Sequence, residues 1–135
     1  MDLQKIAIIT GGSKGIGAAL VNTYSKNGFS VFSLSRTAAL THPNVTSLSV
    51  DLSNPIDALN VMNPLLEKIS TQKPLEIVFI NNAGSLGNVA LIENNTLESI
   101  QKTIALNTTT PICLCSSFVK KLKDCNTSKR ILNIS

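Results

Sequence analysis

Two runs of four consecutive apolar residues, Ile6-Ala7-Ile8-Ile9 and Ile77-Val78-Phe79-Ile80, constrain this chain more than any other feature. A strand with one wet face alternates apolar and polar side chains, so an unbroken, β-branched run marks a strand covered on both faces, as in a parallel sheet flanked by helices. Around these runs, helix-like and strand-like patterns alternate. Ile16, Leu20, Val21 and Tyr24 recur at helical spacing toward the core, and Asn27-Gly28 supplies a stop. Val31-Phe32-Ser33-Leu34 reads as a second strand, and 45–50 as a third, with Val45, Ser47 and Ser49 alternating against Thr46, Leu48 and Val50. Leu59, Met62, Leu66 and Ile69 share one helical face that ends before Pro74. Thr96, followed by Glu98 and Ser99, caps a long helix on which Leu97, Ile100, Ile104, Cys115, Phe118 and Leu122 are expected to track one core face. Arg130-Ile131-Leu132-Asn133-Ile134-Ser135 opens a fifth strand. Strands separated by helices of this length require right-handed βαβ crossovers, and therefore an α/β fold with a doubly wound parallel sheet. The sequence stops inside a strand, so the expectation is a fragment whose sheet is truncated after that fifth strand.

Composition narrows the partners. At 135 residues the chain is one domain, and 43% hydrophobic with 15% charged residues excludes disorder as a whole. No apolar run nears the roughly 18 residues of a membrane span, and Met1-Asp2-Leu3-Gln4-Lys5 leads straight into the first strand, so the expected setting is cytoplasmic with no membrane partner. Three cysteines, Cys113, Cys115 and Cys125, lack CxxC spacing and read as idle thiols, with no metal site. The net charge of +4 is dispersed except for Lys120, Lys121 and Lys123, which suit a helix C-terminus. With 4% aromatics and no Trp, a base-stacking surface is poorly supplied, so no nucleic acid is expected. His42 stands alone in a polar loop, and Asp57, Glu67, Glu93 and Glu98 form no paired-carboxylate constellation.

Chemistry concentrates where the first strand meets the first helix, at Thr10-Gly11-Gly12-Ser13-Lys14-Gly15-Ile16-Gly17. Glycines there allow close backbone approach, and free amides at a helix start face negative charge, which suits a pyrophosphate. A tight turn without a ligand is the plainer alternative. A P-loop is excluded because no Gly-Lys-Ser/Thr step follows. Gly11, Gly15 and Gly17 fit TGxxxGxG rather than GxGxxG, and Asn81-Asn82-Ala83-Gly84 follows the fourth strand. On this pair of motifs the whole chain resembles the short-chain dehydrogenase/reductase family. The stretches 80–89, Ala105-Leu106-Asn107 and Cys113-Leu114-Cys115-Ser116-Ser117 look like its sepiapterin reductase branch, and bacterial benzil reductases are similar over the same stretches.

The resemblance implies a three-layer Rossmann-type sheet, with residues 1–135 as the N-terminal, NADP(H)-binding part of a reductase acting on a small-molecule carbonyl or alcohol. Gly11, Gly12, Ser13, Lys14, Gly15, Ile16 and Gly17 would hold the cofactor's phosphates, and Asn82, Ala83 and Gly84 would lie beside its ribose. Asp51 and Leu52 would hold its adenine, although Asp51 also suits a plain turn cap. Asn81 reads instead as a brace between strands. At the end of the second strand an NAD-type site places an acid, whereas this chain has Arg36, which can pair with a 2′-phosphate with Lys14 as second cation. Pro111 cannot donate to the carbonyl of Asn107, which leaves either a water-filled kink or the family's water-linked proton relay, the one catalytic role the chain carries. The family's Ser and Tyr-x-x-x-Lys are absent, Tyr24 being the only tyrosine, so the chain alone is expected to be inactive. The resemblance also implies a homodimer through helix 96–123. The competing reading is a non-catalytic module that binds nucleotide or a partner.

Overall fold

The computed structural model describes residues 4–135, and residues 1–3, the expected lead into the first strand, lie outside it. The chain runs β1 (Lys5–Thr10), α1 (Gly15–Lys26), β2 (Phe29–Ser35), β3 (Val45–Ser49), α2 (Pro55–Gln72), β4 (Glu76–Asn81), a 3₁₀ turn (Ile92–Asn94), α3 (Leu97–Ile104), a π-helical turn (Ala105–Thr109), α4 (Thr110–Leu122) and β5 (Ser128–Asn133). The strands form one parallel sheet in the order β3-β2-β1-β4-β5. β1 and β4 pair at its centre, Ile6 against Ile77 through Ile9 against Ile80, which is why both apolar runs are unbroken.

Alternate residues of those strands feed two cores. Ile6, Ile8, Ile77 and Phe79 pack with Met62, Leu66 and Ile69 of α2 and with Leu114, Phe118 and Leu122 of α4. Phe79 and Phe118 stack at 5.5 Å, and truncating either ring costs about 3–5 kcal/mol. On the opposite face Ala7, Ile9, Val31, Val78 and Ile80 meet Val21 of α1. β3 alternates as expected, Val45 packing toward one core and Leu48 and the following Val50 toward the other, while Thr46, Ser47 and Ser49 are exposed. α2 starts on Asn54, whose Oδ1 accepts the amides of Ile56 and Asp57 at 3.1 and 3.3 Å, and it stops at Lys73, held in the left-handed region just before Pro74.

Two expectations about helical faces need correction. Leu97, Ile100 and Ile104 are 70, 44 and 54% exposed, while Leu114, Phe118 and Leu122 are buried. The π turn at Ala105–Thr109 inserts one residue, so the apolar stripe of α3 is rotated by about 100° relative to that of α4. Pro111 has no N–H to return to Asn107, and the ladder widens where that bond is missing. Ile16 also leaves the expected core stripe: it is 63% exposed beside the glycine turn, and Val21 is the side chain α1 buries fully.

Candidate functional site

The carboxyl ends of β1 to β4 open onto a cleft of about 600 Å³, the usual ligand crevice of an open parallel sheet. Its floor is locked by Thr10. The Thr10 hydroxyl oxygen accepts the backbone amides of Asn82 and Ala83, both at 3.0 Å. The Asn82 side chain answers by donating to the carbonyls of Thr10 and Gly11 at 3.2 and 3.1 Å. The turn after β1 and the loop after β4 are thus one unit.

No room is left for side chains inside that unit. A Cβ on Gly11, whose φ is +68°, would stand 3.0 Å from Ala83 Cα. One on Gly17 would overlap the Gly11 carbonyl oxygen and come within 2.5 Å of Asn82 Nδ2, and one on Gly12 would run into Ser33 and Val21. Gly15 is different: at φ +58° it needs the left-handed region, yet a Cβ would meet nothing within 4 Å. The first turn of α1 has no side-chain cap and no acidic residue. Its free amides, the open space over Gly15 and the cleft-lining Ser13 and Lys14 together fit a phosphate-bearing ligand.

Arg36 lines the cleft at the end of β2, and neither it nor Lys14 has an ion-pair partner among the described residues. Hydroxyls fix the backbone that carries it, Ser35 donating to the Thr37 carbonyl at 2.6 Å and Ser49 to that of Arg36 at 3.4 Å. Asp51 makes the turn cap that its sequence position allows, its Oδ1 accepting the Ser53 hydroxyl at 2.7 Å and the Ser53 amide at 3.0 Å. Those two bonds are the main cause that holds its carboxyl below the ordinary range; burial opposes them, and Arg36 and Lys102 add smaller attractions. Leu52 turns its side chain into the core and its carbonyl accepts the Thr110 hydroxyl at 2.7 Å.

Asn82, Ala83 and Gly84 line the cleft together with Gly11 and Lys14, so the two sequence motifs meet in space. Gly12, Gly15, Ile16 and Gly17 lie outside the lining, the first and last as buried packing points. Asn107 is also outside it. Its side chain pairs with the backbone of Ser85, Oδ1 accepting the amide at 2.9 Å and Nδ2 donating to the carbonyl at 2.7 Å, which clamps the loop after β4 onto the π turn. Asn81 donates to Asn133 of β5 at 2.9 Å and to Cys115 of α4 at 3.2 Å. Tyr24 packs edge-on against Phe29 at 4.9 Å, away from the cleft.

Sequence reasoning missed the lock made by Thr10 and the wall formed by Lys102, Thr103 and Leu106. The Glu98/Lys102 spacing was the only visible signal for the last, and it says nothing about a cleft. Among the described residues no group of three His, Cys, Asp or Glu side chains could hold a metal, and no helix is long and apolar enough to cross a membrane.

The model of the family described as short chain dehydrogenase matches residues 5–135. The chain belongs to the short-chain dehydrogenase family. Among curated relatives of this dehydrogenase chain, benzil reductase ((S)-benzoin forming) of Bacillus subtilis is 32% identical over 133 residues, covering 98% of this chain and 55% of its own length. The benzil reductase of Bacillus cereus is 28% identical over 140 residues, covering 98% and 56%. The chain therefore spans little more than half the length of the curated relatives it matches. A short-chain dehydrogenase/reductase structure from Burkholderia vietnamiensis superposes with a TM-score of 0.89 at 20% identity, over 100% of this chain and 64% of that one, and the shared fold is a parallel sheet flanked by helices.

Proposed function

We propose that this short-chain dehydrogenase unit binds NADP(H) and serves an enzyme that reduces a carbonyl to an alcohol. The observation that carries the cofactor reading is the pair Lys14 and Arg36, two cations without ion-pair partners among the described residues, lining the cleft where an NAD-type site has an acid. The amides at the start of α1 would hold the diphosphate, Arg36 and Lys14 the 2′-phosphate, Asp51 and Leu52 the adenine, and Asn82 to Gly84 the ribose. When bound, the cofactor supplies the hydride that moves to the carbonyl carbon, while the oxygen takes a proton. That proton step needs the family's Ser and Tyr-x-x-x-Lys, which the sequence does not contain. Asn107, at the π turn, would hold the water that links such a Lys to solvent.

The names of the two Bacillus relatives support an aromatic diketone as the substrate class. The likeness of 80–89 to the sepiapterin reductase branch supports a pteridine side-chain carbonyl as the second choice. Three free cysteines are in keeping with a cytoplasmic setting. The exposed Leu97, Ile100, Ile104, Ile112 and Val119 support a homodimer through helix 96–123.

Titration of the chain with NADPH and NADH, followed by nicotinamide fluorescence, tests the reading. NADPH is expected to bind tighter by about tenfold or more, one charge-assisted phosphate contact being worth roughly that ratio. Arg36→Asp is expected to reverse the preference. An unchanged ratio in that variant would overturn the cofactor assignment.

A further inference from the structure

Thr110 is the first residue of α4, directly after the π turn, and its hydroxyl is spent outside its own helix. A helical threonine ordinarily returns its hydroxyl to a carbonyl three or four residues earlier. Thr103 of α3 does so, donating to the Ser99 carbonyl at 2.8 Å. Thr110 instead donates to the carbonyl of Leu52, 58 residues away in sequence, at 2.7 Å, and it is buried. α4 does not need that bond for docking. Leu114, Phe118 and Leu122 already seat it in the core, and Ser117 and Lys121 tie it to Asn63 and Glu67 of α2.

What the bond does fix is one peptide of the cleft wall. The Leu52 carbonyl belongs to the peptide whose N–H is that of Ser53, and Asp51 Oδ1 accepts that N–H at 3.0 Å. With both ends taken and the Leu52 side chain buried, this peptide plane has no freedom to turn without breaking a bond. The neighbouring amides of Val50 and Asn54 are closed as well, onto the carbonyls of Ser35 and Asp51, both at 3.1 Å. The amides of Asp51 and Leu52 lie on the cleft-lining stretch and donate to no group among the described residues. The turn thus carries unspent donors on a fixed backbone, and Thr110 is the part of that fixing which comes from another element. Thr110 itself does not line the cleft. It follows closely on Asn107, whose side chain clamps Ser85 on the loop after β4. One short segment therefore holds the loops after β3 and β4 at once.

We propose that Thr110 is a positioning residue for the cofactor: by pinning the Leu52–Ser53 peptide to the end of the π turn, its hydroxyl sets the wall against which the nucleoside lies, without touching the nucleotide. The inference rests on the NADP(H)-binding reading and deepens it, adding a buried residue of α4 to those that line the cleft.

The test is fluorescence titration of the full 135-residue chain with NADPH, with displacement by adenosine 2′,5′-bisphosphate, which carries the nucleoside, and by inorganic pyrophosphate, which does not. Thr110→Val keeps the shape and removes the donor. It is expected to weaken NADPH and the adenosine bisphosphate alike, by about fivefold to tenfold, and to leave pyrophosphate within about twofold. Thr110→Ser, which restores the hydroxyl, is expected to return both nucleotides to within about twofold of wild type. Where circular dichroism shows Thr110→Val misfolded, Thr110→Ala removes the donor without setting a methyl against the carbonyl, and the same pattern is expected of it. Wild-type NADPH affinity without the hydroxyl, an equal loss for pyrophosphate, or a loss that serine does not restore overturns the positioning role and leaves the cofactor reading standing. Failure of a folded wild-type chain to bind NADPH overturns both.

Discussion

α1 and α2 both begin just beyond the carboxyl end of a strand, yet they treat their first amides in opposite ways. α2 closes its own start: Asn54 takes two amides, Pro55 removes a third donor, and Asp57 adds negative charge to the first turn. α1 starts on Lys14 in extended conformation, with no side-chain cap and no acid in its first turn. A side-chain cap is worth about 1 kcal/mol, which α1 forgoes. The contrast teaches where to look for a ligand in a parallel sheet. A helix start that satisfies itself is structural, and one that leaves its amides free at the edge of a cleft is available to an anion.

The contrast breaks most completely at Gly17. Gly17→Ala is expected to drive a methyl into the Gly11 carbonyl, lowering stability by about 2–3 kcal/mol in urea unfolding and NADPH affinity by about a hundredfold or more. Wild-type values for both would show that the turn does not depend on this contact. Next in size is Lys14→Asp, which gives α1 the kind of cap that α2 has. Stability should rise by about 0.5–1 kcal/mol while NADPH binding weakens by about tenfold, since the carboxylate now occupies the amides meant for the ligand. Effects of the same sign would deny that the open start is kept for a ligand. The smallest effect belongs to the closed helix. Asn54→Ala should cost about 1 kcal/mol and leave the NADPH dissociation constant within about twofold. A large loss of binding there would erase the distinction between the two helix starts.

Strands and glycines were legible because each leaves its mark locally. Burial on both faces forces Ile6-Ala7-Ile8-Ile9 and Ile77-Val78-Phe79-Ile80 to be apolar without interruption, and the tight approach at Gly11 and Gly17 excludes any other residue type. The π turn was not legible: Pro111 signalled a disturbed ladder, but one inserted residue, rather than a bend, moved Leu97, Ile100 and Ile104 off the core face. Lys102 and Thr10 were missed for another reason. Their contacts are set by strand order and crossover, which put Lys102 of α3 on the same cleft as the ends of β2 and β3 and Thr10 against Asn82. No local periodicity encodes those meetings. The side chain of Asn107 belongs with them, since its hold on Ser85 spans 22 residues.

The shared hydrogen bonds of Thr10 and Asn82 join residues 72 apart in the sequence. Closing a loop of that length precedes any reward from the contacts it brings together. The glycine turn is complete in sequence once the first helix has been synthesised, but its clamp arrives only with β4. Nucleotide uptake during folding should therefore begin late and abruptly, at the moment the central strand pair zips. A cofactor present in the refolding buffer can trap the assembled sheet without accelerating its assembly.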